Sequence, residues 1–236
     1  MVYDDIEMTP TRDQVFFFVL DTSTGILNER IIAINHAMWE AILLLEQYQA
    51  EDWLGLTIKV AVLECGRTTR WVSKMPEAVC DFIWEDIPPG NGYISWYEGI
   101  LELESQLSRR AMMYSETGMN APVIVFITNT PPIEQDWDKT IEPLHHNTWF
   151  KHAIKYAITS DHSSLESLKE LIRMPEFCYE LTNPDQLCGT LLNLLKEAGT
   201  YIAIGAEAGR FWRDKDIPVK QPVEPVFLPD DIWDNW

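Results

Sequence analysis

Positive charge and long apolar runs are both scarce in this sequence. Lysine and arginine account for 18 of its 236 residues, against 37 aspartates and glutamates, so the net charge is −19. A surface of that sign repels phosphate backbones and anionic lipids, which argues against nucleic acid and membranes as partners. No apolar stretch approaches the roughly 20 residues that a membrane-spanning helix needs, and the N-terminus lacks the cationic start and apolar run of a signal peptide. We therefore expect a cytoplasmic protein.

The four cysteines do not form a metal-binding pattern. None falls at the C-x-x-C spacing of a structural zinc site. Cys65 and Cys178 lie in or beside strand-like segments, where a free cysteine behaves as a small buried hydrophobe. This use of cysteine suits a reducing compartment.

Recognisable catalytic motifs are also missing. The Gly-Asn-Gly at 90–92 is not followed by Gly-Lys-Ser/Thr, so it is interpreted as a turn and not as a phosphate loop. His145 and His146 lie in a polar stretch that we interpret as a solvated loop, and no Ser-His-Asp or Cys-His arrangement can be argued from spacing. We expect the protein not to be an enzyme.

The remaining pattern alternates strands with helices. VFFFVL at 15–20 and VIVFIT at 123–128 are short apolar runs typical of strands buried on both faces, and apolar residues recur at helical spacing between Ile26 and Gln49. GRTTRWVS, which follows Cys65, is compatible with a strand that turns back antiparallel. Such an order predicts a three-layer α/β/α, Rossmann-like fold with a six-stranded, mostly parallel sheet and one antiparallel edge strand.

Three helices have locally predicted features. One is expected from about Ser95 to Tyr114, with Tyr97, Leu101 and Leu107 facing inward. A second is expected to begin in a Ser-x-x-Glu capping box at 163–166, and a third to begin with Asn183 as N-cap, Pro184 at the first helical position and Gln186 three residues after the cap.

The segment FFFVLDTSTG, residues 16–25, leaves the first strand with a distinctive set of small polar residues. It resembles the opening of a von Willebrand factor A (vWA) domain, in which a strand ends in Asp-x-Ser-x-Ser, and more closely the bacterial TerY-like tellurite-resistance branch. KVAVLECG, PPGNGYISWYEGILEL and APVIVFITNTPPIEQDW are similar to later elements of that branch, in the same order. The resemblance covers about residues 13–200 and implies a metal-ion-dependent adhesion site (MIDAS) at the carboxyl ends of the strands.

The resemblance also implies that this metal site is degenerate. Asp21 and Ser23 match its first two positions, but Gly25 stands where a second serine is expected, Tyr93 where a threonine is expected, and Asn129 where a second aspartate is expected. A hard cation such as Mg²⁺ is held poorly by neutral oxygens alone. We therefore favour a metal-silent site in which Asp21 caps the following helix or loop and Ser23 forms a hydrogen bond with the backbone. Weak Mg²⁺ binding by Asp21, Ser23 and Asn129 is the alternative.

The chain changes character from about Gly209. Four prolines break regular structure there, and the last ten residues, FLPDDIWDNW, place acids between large apolar side chains. We expect a vWA domain over 1–208 and a C-terminal tail over 209–236 that either packs on its own domain or docks on a partner.

These observations favour a non-enzymatic protein-interaction module. The TerY-like resemblance implies a bacterial stress-response or signalling context, with a co-encoded protein kinase or PP2C-type phosphatase as partner. The candidate partner-binding residues are Asp21, Thr22, Ser23, Thr24, Gly25, Asn91, Tyr93, Asn129, Trp233 and Trp236. The alternatives are a metal-dependent ligand-binding vWA domain and a hydrolase that uses Asp21 as base.

Overall fold

The structure of the chain is a computed structural model, and it describes residues 11–23, 28–52, 55–88, 95–133 and 136–208. The predicted tail over 209–236 lies outside these residues, so the division into a domain and a tail stays a prediction. No helix in the described ranges is long and apolar enough to cross a membrane.

Seven strands and six α-helices occur in the described part of the chain. In chain order they are β1 Arg12–Asp21, α1 Asn28–Ala50, β2 Leu56–Cys65, β3 Thr69–Trp71, β4 Glu77–Ala78, α2 Trp96–Gln106, β5 Val123–Ile127, α3 Trp137–His146, α4 Thr148–His152, β6 Ile154–Thr159, α5 His162–Ile172, β7 Cys178–Glu180 and α6 Gln186–Ala208. A short 3-10 turn, Pro175–Phe177, precedes β7.

The strands form one sheet in the order β3-β2-β1-β5-β6-β7, and β4 pairs with β2 as well. β1, β2, β5, β6 and β7 are parallel, whereas β3 and β4 run antiparallel to β2. The predicted mostly parallel α/β sheet with an antiparallel edge strand is confirmed. The two-residue β4 is a small addition to it.

The strand order places helices on both faces of the sheet. The connection from β1 to β2 moves one way across the sheet, and the connections from β2 to β5, β6 and β7 move the other way. Right-handed crossovers then put α1 on one face and α2 to α5 on the opposite face. α6 returns to the first face and packs beside α1.

The core consists of apolar side chains from the sheet and from the helices that cover it. The six residues of β1 from Val15 to Leu20 are at most 1 % exposed, because helices cover both sides of this central strand. α1 buries its predicted stripe against the same sheet, including Ile34, Met38 and Leu45. The four cysteines are all free, and Cys65 is buried as expected.

Several local predictions are wrong. α2 turns Trp96, Ile100 and Leu103 inward, whereas Tyr97 is 51 % exposed and Leu101 36 % exposed; Leu107 is buried as expected. The helix is apolar around much of its circumference, so its sequence did not define one buried face.

The start of α5 also differs from the prediction. Its N-cap is Asp161, whose carboxylate accepts a hydrogen bond from the Ser164 amide, and not Ser163. At α6, Asn183 Oδ1 accepts a hydrogen bond from the Asp185 amide, as an N-cap would, but the regular helix begins at Gln186.

The two adjacent histidines end a helix and do not lie in a loop. His145 and His146 are the last residues of α3. His145 is half-buried, with Nε2 2.7 Å from the Leu171 carbonyl oxygen, while His146 is exposed. They therefore do not face a common ligand.

Candidate site at the carboxyl edge of the sheet

Asp21 lies where the strand order reverses. It is the last residue of β1, between the carboxyl ends of β2 and β5, and its side chain is completely buried. In open α/β sheets this crevice is the usual place for a ligand. Asp21 therefore lies at the carboxyl edge of the sheet, as the sequence predicts.

The carboxylate of Asp21 is occupied by the protein itself. Oδ1 accepts a hydrogen bond from the Ser23 amide at 3.0 Å. Oδ2 accepts one from Thr128 Oγ1 at 2.8 Å and one from the Asn129 amide at 3.3 Å. The buried negative charge is thus balanced by three donors from the loops after β1 and β5.

Thr22 and Ser23 are the described residues of the loop after β1. Ser23 is 1 % exposed, and its Oγ lies 3.3 Å from Thr130 Oγ1, so the two hydroxyls can share a hydrogen bond. The Thr22 amide donates to the Cys65 carbonyl at 2.8 Å, extending the β1–β2 pairing by one residue. The Thr22 hydroxyl faces Gly66, where a Cβ atom would lie 2.6 Å from it.

Asn129 points its amide oxygen away from Asp21. Oδ1 accepts hydrogen bonds from the Ser160 amide at 2.7 Å and from Ser160 Oγ at 2.6 Å. Because the backbone amide can only donate, the acceptor is the oxygen and not the nitrogen of the side chain. Asn129 therefore ties the loop after β5 to the end of β6.

The described oxygens of this group are engaged by hydrogen bonds within the protein. An octahedral Mg²⁺ site needs several oxygens that converge on one point. Here the Asp21 carboxylate already accepts three hydrogen bonds from the protein, and the Asn129 oxygen is directed toward Ser160. Among the described residues, no group of three or more His, Cys, Asp and Glu side chains is placed to hold a metal ion.

The structure unites some of the predicted residues. Asp21, Ser23 and Asn129 form one hydrogen-bonded group, with Thr22 beside it. The other predicted residues, Thr24, Gly25, Asn91, Tyr93, Trp233 and Trp236, lie outside the described residues.

Two residues that donate hydrogen bonds to this group, Thr128 and Ser160, were not predicted from the sequence. Thr128 donates to Asp21, and Ser160 donates to Asn129. The available signal was position, because each is the first polar residue after a buried parallel strand. Polar residues that follow neighbouring parallel strands meet at one edge of the sheet.

A pair of tryptophans holds the loop after β5. Trp96 is buried at the start of α2 and donates from Nε1 to the Thr130 carbonyl at 3.0 Å. Its ring meets that of Trp137 edge-on, with centroids 6.4 Å apart. This pair fixes the loop after β5 from the α2–α3 side.

The thiol nearest the crevice is inert. Burial, reinforced by the charges of Asp21 and Glu64, raises the pKa of Cys65 well above its ordinary value. Glu64 is engaged by Arg70 through two hydrogen bonds, of 3.0 and 2.9 Å. A buried thiol held neutral is neither a nucleophile nor a metal ligand.

Several solved protein structures share this architecture. The chain is similar to the proximal thread matrix protein 1 from the mussel byssus, with a TM-score of 0.59 and 11% identity over 80% of this chain and 49% of that one. The pilus adhesin SpaC from Lactobacillus rhamnosus GG gives a TM-score of 0.62 and 10% identity over 81% of this chain and 30% of that one. A von Willebrand factor type A protein from Catenulispora acidiphila gives a TM-score of 0.53 and 13% identity over 81% of this chain and 43% of that one.

The fold is that of a vWA domain. The chain spans about half, or less, of the length of these three solved proteins. One form of the mussel protein has a zinc-occupied MIDAS motif. No protein-family model and no curated protein matches this sequence.

Proposed function

We propose that this chain is a non-enzymatic protein-interaction module whose vWA site works without a bound metal. The observation that carries the proposal is the buried Asp21 carboxylate, which is already satisfied by Ser23, Thr128 and Asn129. A site whose negative charge is balanced internally gains little from a cation, and it leaves the rim of the crevice as the contact surface.

The rim offers an apolar contact beside this polar group. Ile133 follows Asn129 on the loop after β5 and is 73 % exposed. On the proposed partner face, such a side chain would supply an apolar contact. The proposed partner face comprises residues 21–25, 91–93 and 129–132, extended by Ile133. The net charge of −19 favours a basic patch on the partner.

The resemblance to the TerY-like branch supports a more specific role. We propose a cytoplasmic adaptor in a bacterial stress-response or signalling system, with a co-encoded protein kinase or PP2C-type phosphatase as partner. The C-terminal residues Trp233 and Trp236 are proposed to contribute to that contact or to pack on the domain. Deletion of 222–236 distinguishes these roles, because a large fall in melting temperature favours self-packing, and lost partner binding at unchanged stability favours docking.

Affinity purification of the tagged full chain from its native host tests the proposal. We expect the same partner in EDTA and in Mg²⁺, and we expect Ile133→Glu to lose it. Tyr114→Glu is the matched control, because Tyr114 is 59 % exposed and precedes β5 at the opposite edge of the sheet.

Two results would overturn this function. Partner binding that requires Mg²⁺ and is abolished by Asp21→Ala would instead identify a metal-dependent ligand-binding vWA domain. Hydrolase activity that is lost in the same variant would identify an enzyme with Asp21 as base.

A further inference from the structure

The solvent face of α1 carries large apolar side chains where a surface helix ordinarily has polar ones. Ile32 is 67 % exposed, Trp39 is 53 % exposed and Leu43 is 40 % exposed. The opposite face of the same helix is packed into the core through Ile34, Met38, Leu45 and their neighbours. α1 is therefore apolar on two opposite faces, and only one of them is explained by the fold.

The exposed residues lie along one helix face and form what we call the α1 outer stripe: Ile32, Trp39 and Leu43. With His36 between the first two, their spacing is four, three and four residues along one helix face. Side chains three and four apart on a helix are neighbours, and this alternation is that of a helix that packs along a partner helix. A scattered set of surface hydrophobes would not show it.

Acidic groups border the stripe on both sides. On α1 itself, Glu29, Glu40 and Glu46 each lie three residues from Ile32 or Leu43. The one cation of this helix, Arg30, lies on another face, where it lines a small cavity with Asn129 and Leu187.

A second acidic border comes from the segment before α2. The Asn35 side chain donates to the Ile87 carbonyl at 3.0 Å and accepts from the Ile87 amide at 2.9 Å, which holds this segment against α1. Asn35 is three residues from Ile32 and four from Trp39, so the segment runs beside the stripe. Its exposed Glu85 and Asp86 add negative charge there.

We propose that the α1 outer stripe is a second interaction surface, which binds a basic amphipathic helix of a partner protein. Apolar side chains of that helix cover Ile32, Trp39 and Leu43, and its flanking lysines or arginines meet the acidic borders. This surface lies on the helical layer, away from the crevice at Asp21, and does not depend on the function proposed for that crevice.

Charge argues against two other occupants. A second copy of this chain would place glutamates against glutamates along the same seam. The last ten residues of the chain contain three aspartates and no lysine or arginine. The segment after α6, with Arg210 and Arg213, is the competing basic occupant from this chain and is tested separately.

Binding of a labelled designed peptide to the full chain tests the proposal by fluorescence anisotropy. The probe is a helix-forming peptide with leucines at the seam positions and lysines on both flanks, and its counterpart has glutamates on the flanks. We expect the lysine peptide to bind at least about tenfold more tightly than the glutamate peptide. The double variant Trp39→Ser/Leu43→Ser should weaken binding of the lysine peptide by about tenfold or more. Met75→Ser, at a residue 49 % exposed between β3 and β4, is the matched control and should leave binding unchanged.

Thermal melts identify a double variant that misfolds, and Glu40→Lys/Glu46→Lys then provides an independent test, with the same loss expected. The proposal is overturned if neither peptide binds or if the variants bind the lysine peptide like the original chain. It is also overturned if sedimentation shows a dimer that Trp39→Ser/Leu43→Ser abolishes, or if binding appears only after residues 209–236 are removed.

Discussion

The side-chain oxygen of Asn129 accepts two hydrogen bonds from Ser160, one from its amide and one from its hydroxyl. At the same residue, the backbone amide donates to the buried carboxylate of Asp21. Asn129 thus joins the ends of β1, β5 and β6 through one neutral side chain and one backbone group. The position at which the family resemblance implies a metal-binding aspartate acts here as a structural connector.

Replacing Asn129 with aspartate should make stability depend on a divalent cation. Asn129→Asp adds a negative charge at the residue whose backbone amide donates to buried Asp21, and two like charges in one crevice disfavour the folded state, although Ser160 can still donate to the new carboxylate. In EDTA we expect the variant to lose about 1–3 kcal/mol of unfolding free energy, which lowers its melting temperature by several degrees. Millimolar Mg²⁺ should restore part of this loss. Differential scanning fluorimetry of both proteins with and without Mg²⁺ measures this. Unchanged stability in EDTA would show that a negative charge at position 129 does not act on the buried carboxylate of Asp21.

The hydrogen bonds to Asp21 should stabilise the fold. Asp21→Asn keeps the shape of the side chain but turns an NH₂ group toward the donors of Ser23 or of Thr128 and Asn129. Each buried donor left without an acceptor costs about 1–3 kcal/mol, so we expect the melting temperature to fall by about 5 to 10 °C.

Asp86→Asn is the matched control for Asp21→Asn, since Asp86 is exposed and the same chemical change there should alter the melting temperature by less than about 1 °C. Equal melting curves for Asp21→Asn and the original chain would show that these hydrogen bonds do not stabilise the fold.

The sequence correctly predicted the strands that are buried on both faces and the helix that buries one face. β1 and β5 are continuous apolar runs, and α1 has a clear inward stripe, so their type and order follow from hydrophobic pattern. The position of Asp21 follows as well, because a polar residue that ends a buried strand lies at the carboxyl edge of the sheet.

The missed features are those that tertiary contacts decide. β4 has only two residues, Glu77 and Ala78, and exists because they pair with β2. α3 contains Pro143 and many polar residues, so its pattern resembles a loop. The position of Ser160 after β6 places it at this edge of the sheet, but its pairing with Asn129 depends on the adjacency of β5 and β6, which the sequence does not show.

A third prediction concerns the contact between α2 and β2. Gly99 lies where an added Cβ would be 2.8 Å from Cys65 Sγ and 3.8 Å from Cys65 Cβ. Gly99→Ala gains about 0.5–1 kcal/mol of helix propensity, but overpacking against a buried sulfur costs about 1–3 kcal/mol. We expect the single variant to be destabilised.

Removing the sulfur should reverse that sign. In a Cys65→Ala background the nearest remaining atom is at an ordinary contact distance, so Gly99→Ala should stabilise the chain by about 0.5–1 kcal/mol. Urea unfolding of the four proteins in this double-mutant cycle measures the coupling. Additive effects would show that the two residues do not touch.

The last prediction concerns pH. Burial, followed by the positive charges of Arg173, Lys155 and His146, lowers the pKa of His145 below 6.5, although the hydrogen bond with the Leu171 carbonyl opposes the shift. A histidine with a lowered pKa in the folded state stays neutral while the unfolded chain takes up a proton. Its stabilising contribution is therefore complete above pH 6.5 and is lost as the pH falls from 6.5 toward the folded-state pKa.

His145→Gln retains a donor for the Leu171 carbonyl but cannot be protonated. The difference in unfolding free energy between the original chain and this variant should therefore decrease from about pH 7.5 to about pH 5. His162, whose pKa is raised by its hydrogen bond with Glu180, contributes with the opposite sign and cancels in this comparison because it is present in both proteins. A difference that is constant with pH would mean that His145 has the same pKa in the folded and unfolded states.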